Sequence, residues 1–148
     1  MVGFYTEEIL NTKGIRVGFR VLTISSNEPG ILAHTNNRTG WKVGKYYVNM
    51  HDFERVVLPE LDKKADLIVI DEIGKMELFS EKFKEKLMEC LEKGSVLATI
   101  TMKGGGEFVK KIKNREDSEL FYITERNRMK IAKIIQTKII KEKEEKID

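Results

Sequence analysis

Asp71 and Glu72 stand side by side after a short apolar run, Leu67-Ile68-Val69-Ile70. Two adjacent carboxylates can hold a divalent cation and manage a proton. Asp71 is placed to bind Mg²⁺, directly or through a water, because that hard ion takes one or two carboxylates plus substrate phosphates. Glu72 is placed to orient or deprotonate an attacking water. The plainer reading is that the pair only starts a turn after a core strand.

The elements around the pair place it at the carboxyl end of a predicted buried strand. Leu67 to Ile70 carries no alternation, which suits a strand buried on both faces in a parallel sheet. Ligands of open α/β sheets sit outside the carboxyl ends of such strands. Ser80 is a good N-cap for a helix to about Lys93, with Phe83, Leu87, Cys90 and Leu91 on one face and Gly94 as a stop. Ser95 to Thr101 reads as a second buried strand, which completes a βαβ unit. Upstream, Val2–Ile9, Arg16–Ile24 and Gly30–Ala33 read as strands joined by turns, an antiparallel meander on an otherwise parallel sheet. Asn49 caps a predicted helix from Met50 to about Leu61, and Pro59 is expected to end or kink its last turn.

Thr35 to Val48 has turn formers, cations and aromatics but no clean period, and reads as a surface loop. Its functional reading is a nucleotide-facing loop, with Arg38, Lys42 or Lys45 near phosphate and an aromatic on a base. Gly104-Gly105-Gly106 follows the second strand and precedes a short helix, Glu107 to Lys113. Such a loop can cradle phosphate, although it lacks a Gly-Lys-Ser/Thr ending and reads more simply as a connector. Leu120 to Thr124 is predicted as the last strand, followed by a long helix. Asn127 and Arg128 stand at that junction, where either can contact a nucleotide or Asn127 can simply cap. His34 and His51 read as surface residues, since no second His or Cys stands at ligand spacing. Residues 138–148 read as a charged, fraying helix end.

The chain has 148 residues, enough for one domain with a real core, and 41% are apolar. No apolar run approaches membrane-spanning length, and Met1 opens no signal-peptide pattern. The single cysteine, Cys90, reads as a buried apolar residue in a reducing, cytoplasmic setting. The 27 basic and 24 acidic residues are interspersed for a net charge of +3. That balance gives little support for nucleic-acid binding, despite Trp41, Tyr46 and Tyr47 lying among cations. Abundant Lys and Glu with a lone glutamine, Gln136, is a thermophile-like composition.

Asp71-Glu72-Ile73-Gly74-Lys75-Met76-Glu77-Leu78 resembles the Walker-B segment of the THEP-type nucleoside-triphosphatases, a P-loop NTPase family. Further pieces match in order: Gly3-Phe4-Tyr5-Thr6-Glu7-Glu8, Arg16-Val17-Gly18-Phe19, Gly30-Ile31-Leu32-Ala33, Val43-Gly44-Lys45-Tyr46 and Glu125-Arg126-Asn127-Arg128. The resemblance spans nearly the whole chain. It implies a three-layer α/β P-loop NTPase-like fold and Mg²⁺-dependent hydrolysis of nucleoside triphosphates such as ATP or GTP. It makes Glu72 and Lys75 catalytic, with Lys75 neutralising charge on the transferred phosphoryl group or, as a surface residue, pairing with Glu72 or Glu77. It gives Asp71 the metal, and Lys45, Asn127 and Arg128 nucleotide contacts.

The family carries a Walker-A loop before the Gly-Phe-Tyr-Thr-Glu-Glu segment, and these residues contain no Gly-x-x-x-x-Gly-Lys-Ser/Thr. The resemblance thus predicts a missing strand, phosphate loop and helix, roughly 25 residues. It also predicts an open sheet edge beside Leu67–Ile70, suited to self-association. The rival function is a non-catalytic binding or assembly module built on the same fold.

Overall fold

The computed structural model describes residues 1–147, with side chains as far as residue 142. They fall into two compact units that meet at Val109 and Lys110. Each is described by itself.

The first unit is built on one mixed sheet of seven strands in the order β4-β5-β3-β2-β1-β6-β7. β1 (Val2–Leu10), β2 (Arg16–Thr23) and β3 (Pro29–His34) form the predicted antiparallel meander. β1 then pairs in parallel with β6 (Ile68–Ile73), and β6 with β7 (Val96–Ile100). The βαβ unit closes through α2 (Glu81–Lys93), capped by Ser80, whose Oγ accepts from the Phe83 amide at 3.0 Å.

α1 (Met50–Leu61) starts at Asn49, whose side chain accepts from the Asp52 amide at 3.0 Å. Pro59 lies inside its last turn, and the helix still reaches Leu61. Phe4 of β1, Phe53 of α1 and Phe83 of α2 meet edge to face, with centroids 5.3 to 5.7 Å apart. That geometry suits the ring quadrupoles. All three rings are fully buried, so this triad pins both helices to one face of the sheet. Cys90 is buried in the same layer, as expected.

In this unit three expectations need correction. The Thr35–Val48 segment is not all loop. It holds β4 (Lys42–Val43) and β5 (Tyr46–Val48), a hairpin that extends the sheet past β3. The strand after Ala65-Asp66 does not end at its carboxylates. It runs through Asp71 and Glu72 to Ile73. Nor does it have an open edge, because β1 and β7 flank it, and the terminal strand is β7.

In the second unit the predicted strand Leu120–Thr124 is absent. The segment is irregular, and Tyr122 and Ile123 are 66% and 57% exposed. Its β-branched and aromatic composition fits a pleated surface, but a strand needs a ladder partner and none pairs with it among the described residues. α3 (Gly106–Lys113) bridges the boundary between the units, and α4 (Arg128–Ile147) follows. The charged end from residue 138 is helical to Ile147, and Asp148 lies outside the described residues. Among these residues no helix is long and apolar enough to cross a membrane.

Candidate active site

The carboxyl end of β6 is bulged. Ile70 faces Ala98 and Ile73 faces Ile100, so three steps along β6 match two along β7. A bulge inserts a residue and re-aims the side chains at it, and bulges recur beside active sites. Here the bulge falls on Asp71 and Glu72, whose shared peptide is cis.

The two carboxylates part company. Asp71 Oδ1 accepts from the Thr99 hydroxyl of β7 at 2.7 Å. Glu72 turns toward Gly74. A Cβ on Gly74 would come within 2.8 Å of Glu72 Oε1 and 2.9 Å of Glu77 Oε2, so both carboxyls converge on this glycine. Glu77 Oε2 accepts from the Gly74 amide at 3.1 Å. The sequence reading gave Glu77 no role of its own, yet it is only 4% exposed.

This convergence sets the protonation states. Burial first, then the charge of Asp71, holds the Glu72 pKa above its ordinary value. Glu77 is pushed up to about 7, by burial first and then by Glu72 and Asp71, against the backbone amides that reach it. Carboxyls raised this way keep their protons more readily and make stronger bases when ionised.

Lys75 lies in the turn between β6 and the 3₁₀ turn Glu77–Phe79. It does not pair with Glu72 or Glu77. Its stem lies along Gly104, where a Cβ would fall 2.5 Å from Lys75 Cε. An open groove of about 430 Å³ runs past it, lined by Lys42, Val43, Lys75, Leu78, Lys84 and Gly105 among others. The structure thus brings Asp71, Glu72 and Lys75 to one end of β6 and adds Lys42 of the β4–β5 hairpin to the Lys75 groove.

Lys45 is elsewhere engaged, with its ammonium 5.5 Å from the Tyr46 ring centroid. Tyr46 itself is buried, and its hydroxyl accepts from Arg16 Nε at 2.8 Å, so it is not free to stack on a base. Trp41 remains 42% exposed. In the second unit, the Asn127 side chain closes its own turn. Its oxygen accepts from the Thr124 amide at 2.7 Å, and its amide donates to the Tyr122 carbonyl at 2.9 Å. Arg128 opens α4 and is exposed. Among the described residues no group of three or more His, Cys, Asp or Glu side chains gathers to hold a metal ion.

A mixed α/β sheet with paired carboxylates at the carboxyl end of an inner parallel strand defines an α/β protein whose carboxylates stand where open α/β sheets bind their ligands. The comparisons with known proteins carry this further. A family model described as NTPase matches residues 1–136. The nucleoside-triphosphatase THEP1 of Thermotoga maritima is 45% identical over 130 residues, covering 85% of this chain and 73% of that protein. The THEP1 nucleoside-triphosphatase of Thermotoga sp. strain RQ2 is 43% identical over 129 residues, with the same coverage. The crystal structure of THEP1 from the hyperthermophile Aquifex aeolicus superposes with a TM-score of 0.81 at 33% identity, covering 90% of this chain and 80% of that one. This chain belongs to the THEP1-type nucleoside-triphosphatase family.

Proposed function

We propose that this protein hydrolyses nucleoside triphosphates such as ATP or GTP to the diphosphate and phosphate with Mg²⁺ as cofactor. The observation that carries the reading is the bulged end of β6, where Asp71 turns to Thr99 and Glu72 to Gly74, with Lys75 in the turn that follows. The family's named activity supports it.

Asp71 is the metal residue. Thr99 holds one of its oxygens and fixes the carboxylate. One or two carboxylates suit Mg²⁺, which takes its other ligands from phosphate oxygens and water. When bound, Mg²⁺ supplies charge neutralisation on the phosphates. Glu72 orients the lytic water and accepts its proton, a task helped by its raised pKa. Lys75 offsets charge on the phosphoryl group as it transfers. Lys45 and Arg128 are assigned nucleotide contacts. Asn127 is assigned one too, although its side chain is already committed to its turn. The lone buried thiol supports a cytoplasmic, reducing compartment.

The test is phosphate release from ATP and GTP by the full chain, with Mg²⁺ and with a chelator. Glu72→Gln is expected to keep nucleotide affinity and lose kcat by roughly a hundred- to ten-thousandfold. Normal turnover by that variant removes Glu72 from the mechanism.

A second reading, a non-catalytic binding module, is favoured by one observation: β7 is an uncharged terminal strand, Val96-Leu97-Ala98-Thr99-Ile100. Nucleotide binding separates the two. Hydrolysis requires affinity in about the micromolar range, and the module requires none.

A further inference from the structure

The groove beside Lys75 has a composition that the carboxylate chemistry does not use. Lys42, Lys75 and Lys84 all line it, and no Asp or Glu is among its lining residues. Their ammonium groups come from three separate elements: β4, the turn after β6, and α2. Like charges repel, so three lysines facing one groove are costly unless something anionic sits between them.

Their existing partners leave that charge largely available. Lys75 has no hydrogen bond or ion pair among the described residues. Lys42 stacks over Tyr47, at 5.2 Å from the ring centroid. Lys84 pairs with exposed Glu81 at 3.2 Å and lies over the Phe108 ring. An exposed pair of that kind is weak and exchanges readily.

Gly105 of the Gly104–Gly106 loop lines the groove. Gly104 has φ +82°, which favours glycine, and the flexible end of the Lys75 stem lies against it. Among the described residues the amides of Gly104, Gly105 and Gly106 donate to no protein acceptor. The loop thus lies against the Lys75 stem and brings amides without a protein acceptor to the edge of the groove.

From this arrangement we propose that the groove between β4, the Gly74–Phe79 turn and the Gly104–Gly106 loop is a phosphate-binding site. Lys42, Lys75 and Lys84 supply the charge and the glycine loop supplies amides. Ammonium groups on separate elements suit a compact, highly charged phosphate as point charges rather than a planar carboxylate. The ligand is either the terminal phosphate of a nucleotide or free phosphate, including the product. The proposal deepens the hydrolase reading, because Lys75 belongs to both.

The test does not depend on turnover. Full-length ¹⁵N-labelled protein is titrated with inorganic phosphate, with pyrophosphate, with a non-hydrolysable nucleoside triphosphate and with adenosine. Amides of Lys75 and Gly104–Gly106 are expected to shift and saturate with the phosphates and not with adenosine. Lys42→Ala with Lys84→Ala should weaken pyrophosphate about tenfold, while Lys42→Arg with Lys84→Arg should keep it within about threefold. Shifts with the nucleotide assign the site to the terminal phosphate. Shifts with the free phosphates alone assign it to released phosphate. Either result supports the proposal. No saturating shift from any phosphate, or equal pyrophosphate affinity in the double alanine variant, overturns it. Phosphate binding here together with normal turnover by Glu72→Gln would sink the assigned hydrolytic role of Glu72 and leave this site standing.

Discussion

Glu60 and Glu77 are equally hidden, at 2% and 4% exposure, and the fold drives their carboxyls in opposite directions. Glu60 ends α1 near the amino ends of β1 and β6. It collects the Gly3 amide at 3.0 Å, the Ser25 amide at 2.9 Å, the Ser25 hydroxyl at 2.5 Å and the Lys63 ammonium at 3.0 Å. Burial works to raise its pKa, but those four donors outweigh it and the net shift is downward. Glu77 lies past the carboxyl end of β6, where backbone amides reach it and two further carboxylates press on it, and its pKa climbs to about 7. Burial alone therefore does not decide a carboxyl's charge; the donors around it do. One end of the sheet uses a carboxylate as a clamp across β1, the β2–β3 turn and α1. The other end gathers carboxyls that cannot all be ionised comfortably, which is how sites of chemistry are built.

The largest break in this contrast comes from Glu60→Ala. It strands four donors in buried or part-buried bonds and uncouples three segments, so unfolding free energy should fall by about 3–5 kcal/mol, measured by denaturant titration at pH 7. An equal loss from Glu77→Ala would erase the distinction between the two ends.

Glu77→Gln should act with the opposite sign, and its effect should depend on pH. A carboxyl whose folded pKa is raised binds more protons in the native state between about 4.5 and 7, so its cost appears as pH rises through that window and is complete above it. The variant removes a cost on the order of 2–3 kcal/mol at pH 8 and should be near neutral at pH 4. Melting temperatures at the two pH values check this. Glu60 runs the other way: its contribution is full above about pH 4.5 and is lost as pH falls through its lowered folded pKa. The Glu60 and Glu77 variants should therefore tilt the stability–pH curve in opposite senses. Parallel curves for the two would refute the assignment.

A smaller effect sharpens the picture. Ser25→Ala removes one of Glu60's four donors and keeps the backbone amide. About 1 kcal/mol of stability should be lost, with the Glu60 carboxyl titrating at higher pH by NMR. An unmoved titration would mean that the hydroxyl plays no part in holding the charge.

How much of this was legible beforehand differs between the two ends. The strands of the meander and of the βαβ unit follow from apolar runs and turn residues, and Ser80, Asn49 and Gly94 mark helix ends where the structure has them. Glu60 was readable in principle, since it falls on the helical stripe of Phe53, Val56, Val57 and Leu61, where an acidic residue faces the core. The β4–β5 hairpin was not, because strands of two and three residues hold no period. Leu120–Thr124 shows the reverse error, strand composition without a ladder. Asp71 and Glu72 were found from their place after an apolar run. The bulge that separates them, the hydroxyl of Thr99 and the burial of Glu77 depend on register between strands, which local sequence does not encode.

The sheet's two rims also differ, with a consequence for how copies of this protein meet. One rim is β4, two residues long and carrying Lys42; the other is β7, five residues with no charge. Short charged rims resist pairing and long apolar ones invite it. Where copies of this protein meet through strands, the chemistry of the two rims favours contact at β7 over contact at β4.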